Sequence, residues 1–340
     1  MKNISIIGGG SWGTALAKLL ADKNCRVIIY LRNKELCNAI NQKHVNIKYF
    51  PDVKLNKNIL ATNDLEKAIK FAKIIFLTVP TYATRDIINK IKNFLSKKQI
   101  LISTAKGIEE QSFYRNTEII REYFTNPMAV LSGPTHAEEV IKKLPSAVVI
   151  ASEDRKLAQK IQKLLMSPCF RVYTNPDVVG VETGGAIKNI IAVASGITDG
   201  LGYGDNSRAA LITRGLHEMS LLGKKLGAKV LTFAGLTGMG DLVVTCTSMY
   251  SRNRKLGICI GKGLKLDEAL GSVNQVVEGV RTTRSIYNWC LDFAPEMELP
   301  ITNQTYQVLF NNKDPVTAVE DLMLRGPKHE IEEVANNLNW

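Results

Sequence analysis

The chain predicts an α/β protein in two parts, a doubly wound parallel sheet followed by an all-helical domain. Three observations carry that prediction. Short runs rich in Val and Ile alternate with amphipathic stretches through the first half, the pattern of parallel strands joined by helices. A GxGxxG string, Gly8-Gly-Gly-Ser-Trp-Gly13, follows the first such run directly and opens the first helical stretch. From about residue 179 the pattern changes to long helical segments broken by glycine.

In chain order the strand candidates are 4–7, 26–30, 74–79, 100–103, 129–131 and 147–151. They are near-continuously apolar, as expected of strands covered on both faces. Between them, 14–21, 82–95 and 155–165 read as amphipathic helices, and the alternation ends near 170–176. Segments 179–200, 206–226, 267–270 and 280–293 then read as helices. The division is a dinucleotide-binding domain over 1–178 and a helical domain over 179–340. The polar tail after Lys328 receives no role.

Composition narrows the function. With 340 residues the chain is long enough for two domains. Its 45% hydrophobic and 22% charged residues are those of a globular protein. The net charge of +12 suits an anionic partner, from a phosphorylated metabolite to a nucleic acid, and equally a solvated basic surface. No helix-turn-helix, RNP string or basic–aromatic stripe supports nucleic acid. The six cysteines form no CxxC and no cluster with histidine, so reduced thiols in a cytoplasmic protein, without a metal centre, are expected. The longest apolar run, 190–197, is short of the roughly 18 residues of a membrane span.

The glycine string implies a Rossmann-type dinucleotide site. Gly8 permits the tight turn, Gly10 lets backbone approach a pyrophosphate, and Gly13 allows close helix–strand packing. Ser11 and Trp12 lie on the same turn, at a helix N-terminus that favours phosphate charge. After the second strand the chain reads Tyr30-Leu31-Arg32-Asn33-Lys34, with no acid before Glu35 to hold a ribose hydroxyl. Arg32 is placed to meet a 2′-phosphate, so NADPH should be accepted; a solvated surface arginine is the alternative.

Four later segments look unlike core packing: 103–109 around Lys106, 131–137 ending in Thr135-His136-Ala137, 182–194 around Lys188, and 238–254. Lys188 sits among apolar residues, which lowers the pKa of an ammonium, and a second cation such as Lys106 would lower it further. A lysine tuned this way can donate or accept a proton. A side chain snorkelling over the core is the alternative. His136 is the only rival among the four histidines. Asp241, in an apolar stretch, needs a cationic partner if buried, and Lys188 would suit; a helix cap is the alternative. Ser251-Arg252-Asn253 combines a planar guanidinium with short polar groups, the chemistry of a phosphate clamp or of an exposed basic turn.

Six strings together resemble the NAD(P)-dependent glycerol-3-phosphate dehydrogenases of bacteria: GGGSWGTALA (8–17), TAKGIE (104–109), SGPTHAEE (132–139), GGAIKNIIA (184–192), GLTGMGDLVVTCTSMYSRNR (235–254) and QVVEG (275–279). The resemblance runs from Ile4 to about Arg325. It implies reversible reduction of dihydroxyacetone phosphate to sn-glycerol 3-phosphate, for phospholipid synthesis, with Lys188 as proton donor and acceptor. It also implies substrate contacts at Lys106, Gly133, Thr135, Asp241, Ser251, Arg252 and Asn253. Cofactor contacts would come from Ser11, Trp12, Arg32, Lys106, Ala137, Arg252, Val276 and Glu278. NAD or NADP is the implied cofactor, and a homodimer the implied assembly. The alternatives are a 6-phosphogluconate- or hydroxyacid-type dehydrogenase and a dinucleotide-binding regulator.

Overall fold

Ile4, Ile6 and Ile7 account for the first strand, β1 (Asn3–Ile7). Ile4 and Ile6 enter one apolar layer and Ile7 the opposite one, all fully buried. A strand with helices on both faces has no solvent side on which to place polar residues. Of its two polar side chains, Asn3 is half-buried at the start of the strand, and Ser5 is buried and donates to the carbonyl of Ala68 at 2.5 Å.

The structure is a computed structural model describing residues 1–273, 276–327, 329 and 330. After β1 come α1 (Ser11–Asp22), β2 (Arg26–Tyr30), α2 (Lys34–Lys43), β3 (Ile59–Thr62), α3 (Leu65–Lys70) and β4 (Ile74–Leu77). The chain continues through α4 (Thr81–Ile91), β5 (Ile100–Ser103), α5 (Asn116–Arg121), β6 (Met128–Ser132), α6 (Ala137–Val140), β7 (Ser146–Ala151), α7 (Arg155–Leu165) and β8 (Phe170–Asn175). Helices follow: α8 (Val178–Gly200), α9 (Asp205–Lys225), α10 (Val230–Phe233), a π-helical turn (Leu236–Gly240), α11 (Asp241–Thr247) and α12 (Arg252–Gly261). Then come α13 (Leu266–Val273), α14 (Glu278–Phe293), α15 (Pro300–Phe310) and α16 (Pro315–Met323).

The sheet has eight strands in the order β3-β2-β1-β4-β5-β6-β7-β8. The order reverses between β1 and β4, and a crevice beyond the carboxyl ends of the strands at such a point is where open sheets bind ligands. Three features depart from the sequence expectation. β3 and β8 add edge strands to the six expected; both mix inward apolar with exposed residues, such as Leu60 and Tyr173. The sheet is also not wholly parallel, because β7 runs antiparallel to β6. The cause is α6, a single turn of four residues, which is too short to carry the chain back along the sheet. α7 is a full crossover helix, and β8 is again parallel to β7.

α8 is long and apolar enough to cross a membrane, yet 89% of its most apolar stretch is buried inside the protein. It is the axis of the helical part, surrounded by α9, α11, α12 and α14. Its contact with α12 is backbone to backbone. Gly196 and Gly200 face Gly257 and Gly261, and a Cβ on any of the four would lie 2.1–2.5 Å from a carbonyl oxygen of the other helix. No side chain larger than hydrogen fits this crossing.

Candidate active site

The glycine turn between β1 and α1 has the geometry its sequence suggests. Gly8 has φ +115°, and a Cβ on Gly13 would lie 1.9 Å from the Gly8 carbonyl oxygen. A Cβ on Gly10 would meet nothing within 4 Å, so that side of the turn is open to a ligand. The N–H groups of Gly9, Gly10, Ser11 and Trp12 have no protein acceptor among the described residues. Open backbone donors at a helix start fit a pyrophosphate. Arg32 is exposed just beyond the carboxyl end of β2, and neighbouring Asn33 caps α2 through the Leu36 N–H.

A second cluster joins the sheet to the helical part. Lys106 follows β5, Gly133 follows β6, Lys188 lies mid-way along α8 and Asp241 begins α11. The Lys188 ammonium donates to Asp241 Oδ1 at 2.6 Å and to Thr245 Oγ1 at 2.7 Å. Lys106 donates to Asp241 Oδ2 at 2.8 Å and to the Gly133 carbonyl at 2.8 Å. One carboxylate thus separates two ammonium groups. Lys188 is only 4% exposed, so it does not snorkel; Asp241 caps no helix, because both its oxygens serve the lysines.

Burial lowers the Lys188 pKa to about 8, with Lys106 acting in the same direction and Asp241 opposing both. Burial resists ionisation of Asp241, but the two ammonium groups outweigh it and hold the carboxyl below its usual range. His136 is pushed down to about 4 by burial and then by Lys188 and Lys106. An imidazole held neutral in this way cannot serve as the cationic acid near pH 7.

Thr135 donates to the Gly133 carbonyl at 3.1 Å, and Ala137 is buried at the start of α6. Ser251 caps α12 through the Arg254 N–H at 3.2 Å, and Arg252 is exposed beside it. Asn253 is tied to the Lys106 backbone through Asn189: Asn189 donates to the Lys106 carbonyl at 2.9 Å and accepts from Asn253 at 2.8 Å. Glu278 accepts from the Thr81 N–H at 3.1 Å, at the start of α4, and burial raises its pKa to about 7. Val276 is half-buried ahead of it, while Gln275 of the QVVEG string lies outside the described residues.

Comparison with known proteins decides which family owns this arrangement. The family model described as NAD-dependent glycerol-3-phosphate dehydrogenase N-terminus matches residues 3–158, and its C-terminal counterpart matches 177–320. The chain belongs to the NAD-dependent glycerol-3-phosphate dehydrogenase family. Glycerol-3-phosphate dehydrogenase [NAD(P)+] of Halothermothrix orenii is 64% identical over 337 residues, 99% of each chain. The enzyme of that name from Bacillus subtilis is 47% identical over 340 residues, 99% of this chain and 98% of that one. A crystal structure of glycerol-3-phosphate dehydrogenase from Coxiella burnetii superposes with a TM-score of 0.91 at 37% identity, covering 95% of this chain and 99% of that one.

Two site residues of this glycerol-3-phosphate dehydrogenase family member escaped the sequence reading. Thr245 stands one helical turn after Asp241, and Asn189 directly follows Lys188. The spacing of four residues from Asp241 was the available signal for Thr245, since i and i+4 share a helix face. Asn189 had none, because neighbours in sequence on a helix point to different sides.

Proposed function

We propose that this cleft catalyses the reversible reduction of dihydroxyacetone phosphate to sn-glycerol 3-phosphate, with Lys188 as the proton donor and NADPH or NADH as the reductant. One observation carries the assignment: a buried lysine held by a carboxylate it shares with a second lysine. Bound reduced nicotinamide supplies the hydride that goes to the substrate C2 carbon. Lys188 has three N–H donors, two of them committed to Asp241 and Thr245. The third is available to the C2 oxygen, and its proton passes to that oxygen as negative charge develops. Asp241 keeps the ammonium oriented, and Lys106 adds positive charge against the growing alkoxide.

Arg252 and Asn253 hold the phosphate in this reading, with Gly133, Thr135 and Ser251 bounding the substrate. Ser11, Trp12, Ala137, Arg252, Val276 and Glu278 line the path of the cofactor. Removing a phosphate contact weakens substrate and transition state alike, so Arg252→Ala should raise KM for dihydroxyacetone phosphate roughly tenfold or more with kcat little changed. A fall in kcat at saturating substrate with unchanged KM would count against the clamp. Arg32→Asp should shift preference from NADPH toward NADH, because a carboxylate repels a 2′-phosphate and accepts from a ribose hydroxyl. An unchanged ratio of kcat/KM for the two cofactors would exclude Arg32 from the adenosine pocket.

Domains over 1–178 and 179–340, a homodimer, a cytoplasmic location and a supply of glycerol phosphate to phospholipid synthesis complete the reading. Loss of NADPH absorbance on adding dihydroxyacetone phosphate tests it directly, and no loss with either reduced cofactor would overturn it.

A further inference from the structure

We propose that Thr78 and Asn46, which lie outside every motif described above, are positioning residues that aim the glycine turn at the cofactor pyrophosphate. The inference rests on the dinucleotide reading of that turn and deepens it.

Thr78 follows β4, and its hydroxyl donates to the Gly8 carbonyl at 2.6 Å. Asn46 comes from the loop between α2 and β3 and is completely buried. Its side-chain amide donates to the Gly9 carbonyl at 3.2 Å and to Thr14 Oγ1 at 2.8 Å. Thr14, also completely buried, stands 3.4 Å from the same Gly9 carbonyl. Consecutive carbonyls of the turn are therefore both held against the protein.

In a trans peptide unit the carbonyl and the following N–H point in opposite directions. No peptide among the described residues is cis. Holding the Gly8 carbonyl inward turns the Gly9 N–H outward, and holding the Gly9 carbonyl inward does the same for Gly10. Those donors lack protein acceptors, on a turn where Gly10 faces open space. Glycine alone does not select this orientation, since it populates both signs of φ readily. Thr78 and Asn46 supply the selection, and a fixed donor pair binds an anion without the cost of ordering it first.

The test compares Thr78→Val, Thr78→Ser and Asn46→Leu with the parent protein by calorimetry, using NADPH, NADH, ADP and adenosine. Thr78→Val keeps the shape and loses the donor, whereas Thr78→Ser keeps the donor. Thr78→Val and Asn46→Leu should weaken NADPH, NADH and ADP roughly tenfold or more, the scale of a hydrogen bond to a charged group. Adenosine, which carries no phosphate, should bind unchanged, and Thr78→Ser should match the parent. In turnover, KM for the reduced cofactor should rise far more than kcat falls. Unchanged nucleotide affinity in Thr78→Val, or an equal loss for adenosine, would overturn the inference. Failure of the parent protein to bind any of the nucleotides would instead overturn the dinucleotide reading beneath it.

Discussion

Lys188→Met should lower kcat for dihydroxyacetone phosphate reduction by roughly 10²–10⁴, the usual contribution of a positioned general acid. Met preserves the length and apolar stem of lysine, so the packing along α8 should survive. KM should change much less than kcat, because the ammonium acts mainly on charge that develops in the transition state. The parent enzyme should show an alkaline limb near pH 8 in kcat/KM for reduction. Lys188 must be an ammonium to donate, and its pKa is about 8. Activity is therefore present below that pH and lost as pH rises through it. A Lys188→Met enzyme with near-parental kcat, or with the same alkaline limb, would remove Lys188 from the proton step.

Asp241→Asn should be the most damaging single-atom change in the cleft. The substitution leaves two ammonium groups facing a neutral amide, with Lys188 only 4% exposed. Breaking a buried ion pair by removing one partner costs about 3–5 kcal/mol, which a lowered thermal midpoint would report. The sign of the accompanying pH effect is specific. Asp241 raises the Lys188 pKa, so its loss should move the alkaline limb of reduction to lower pH. Lys106 lowers the same pKa, so Lys106→Met should move the limb the other way while raising KM for the substrate. Movement of both limbs in one direction would mean that the three groups are not electrostatically linked.

How much of this was legible in the sequence depends on how local each signal is. The strands of the sheet centre could be read because burial on both faces makes their sequences nearly all apolar, as in 4–7, broken only by Ser5, and in 74–79, of which 74–77 form β4. β3 and β8 could not, because as edge strands they interleave buried with exposed residues. The antiparallel turn at β7 followed from the length of one helix, α6, which its residues did not announce. In the cleft, Lys188 was recognisable from its apolar neighbours and Asp241 from its own. Their pairing spans 53 residues and is a property of the fold. Asn46 and Thr78 carried no functional signal, since an asparagine in a loop and a threonine near the end of the expected strand 74–79 are ordinary until their partners are known.

The glycine crossing of α8 and α12 bears on what the enzyme will accept. Lys188 rides on α8 and Arg252-Asn253 begin α12, so backbone contact at Gly196·Gly257 and Gly200·Gly261 fixes the spacing of the two helices that carry these residues. In the proposed reading, the spacing from proton donor to phosphate clamp is then set by two helix backbones and acts as a gauge. It measures a ketone one methylene away from its phosphate ester. A homologue with the carbonyl one carbon further along would fit either the clamp or the donor, but not both.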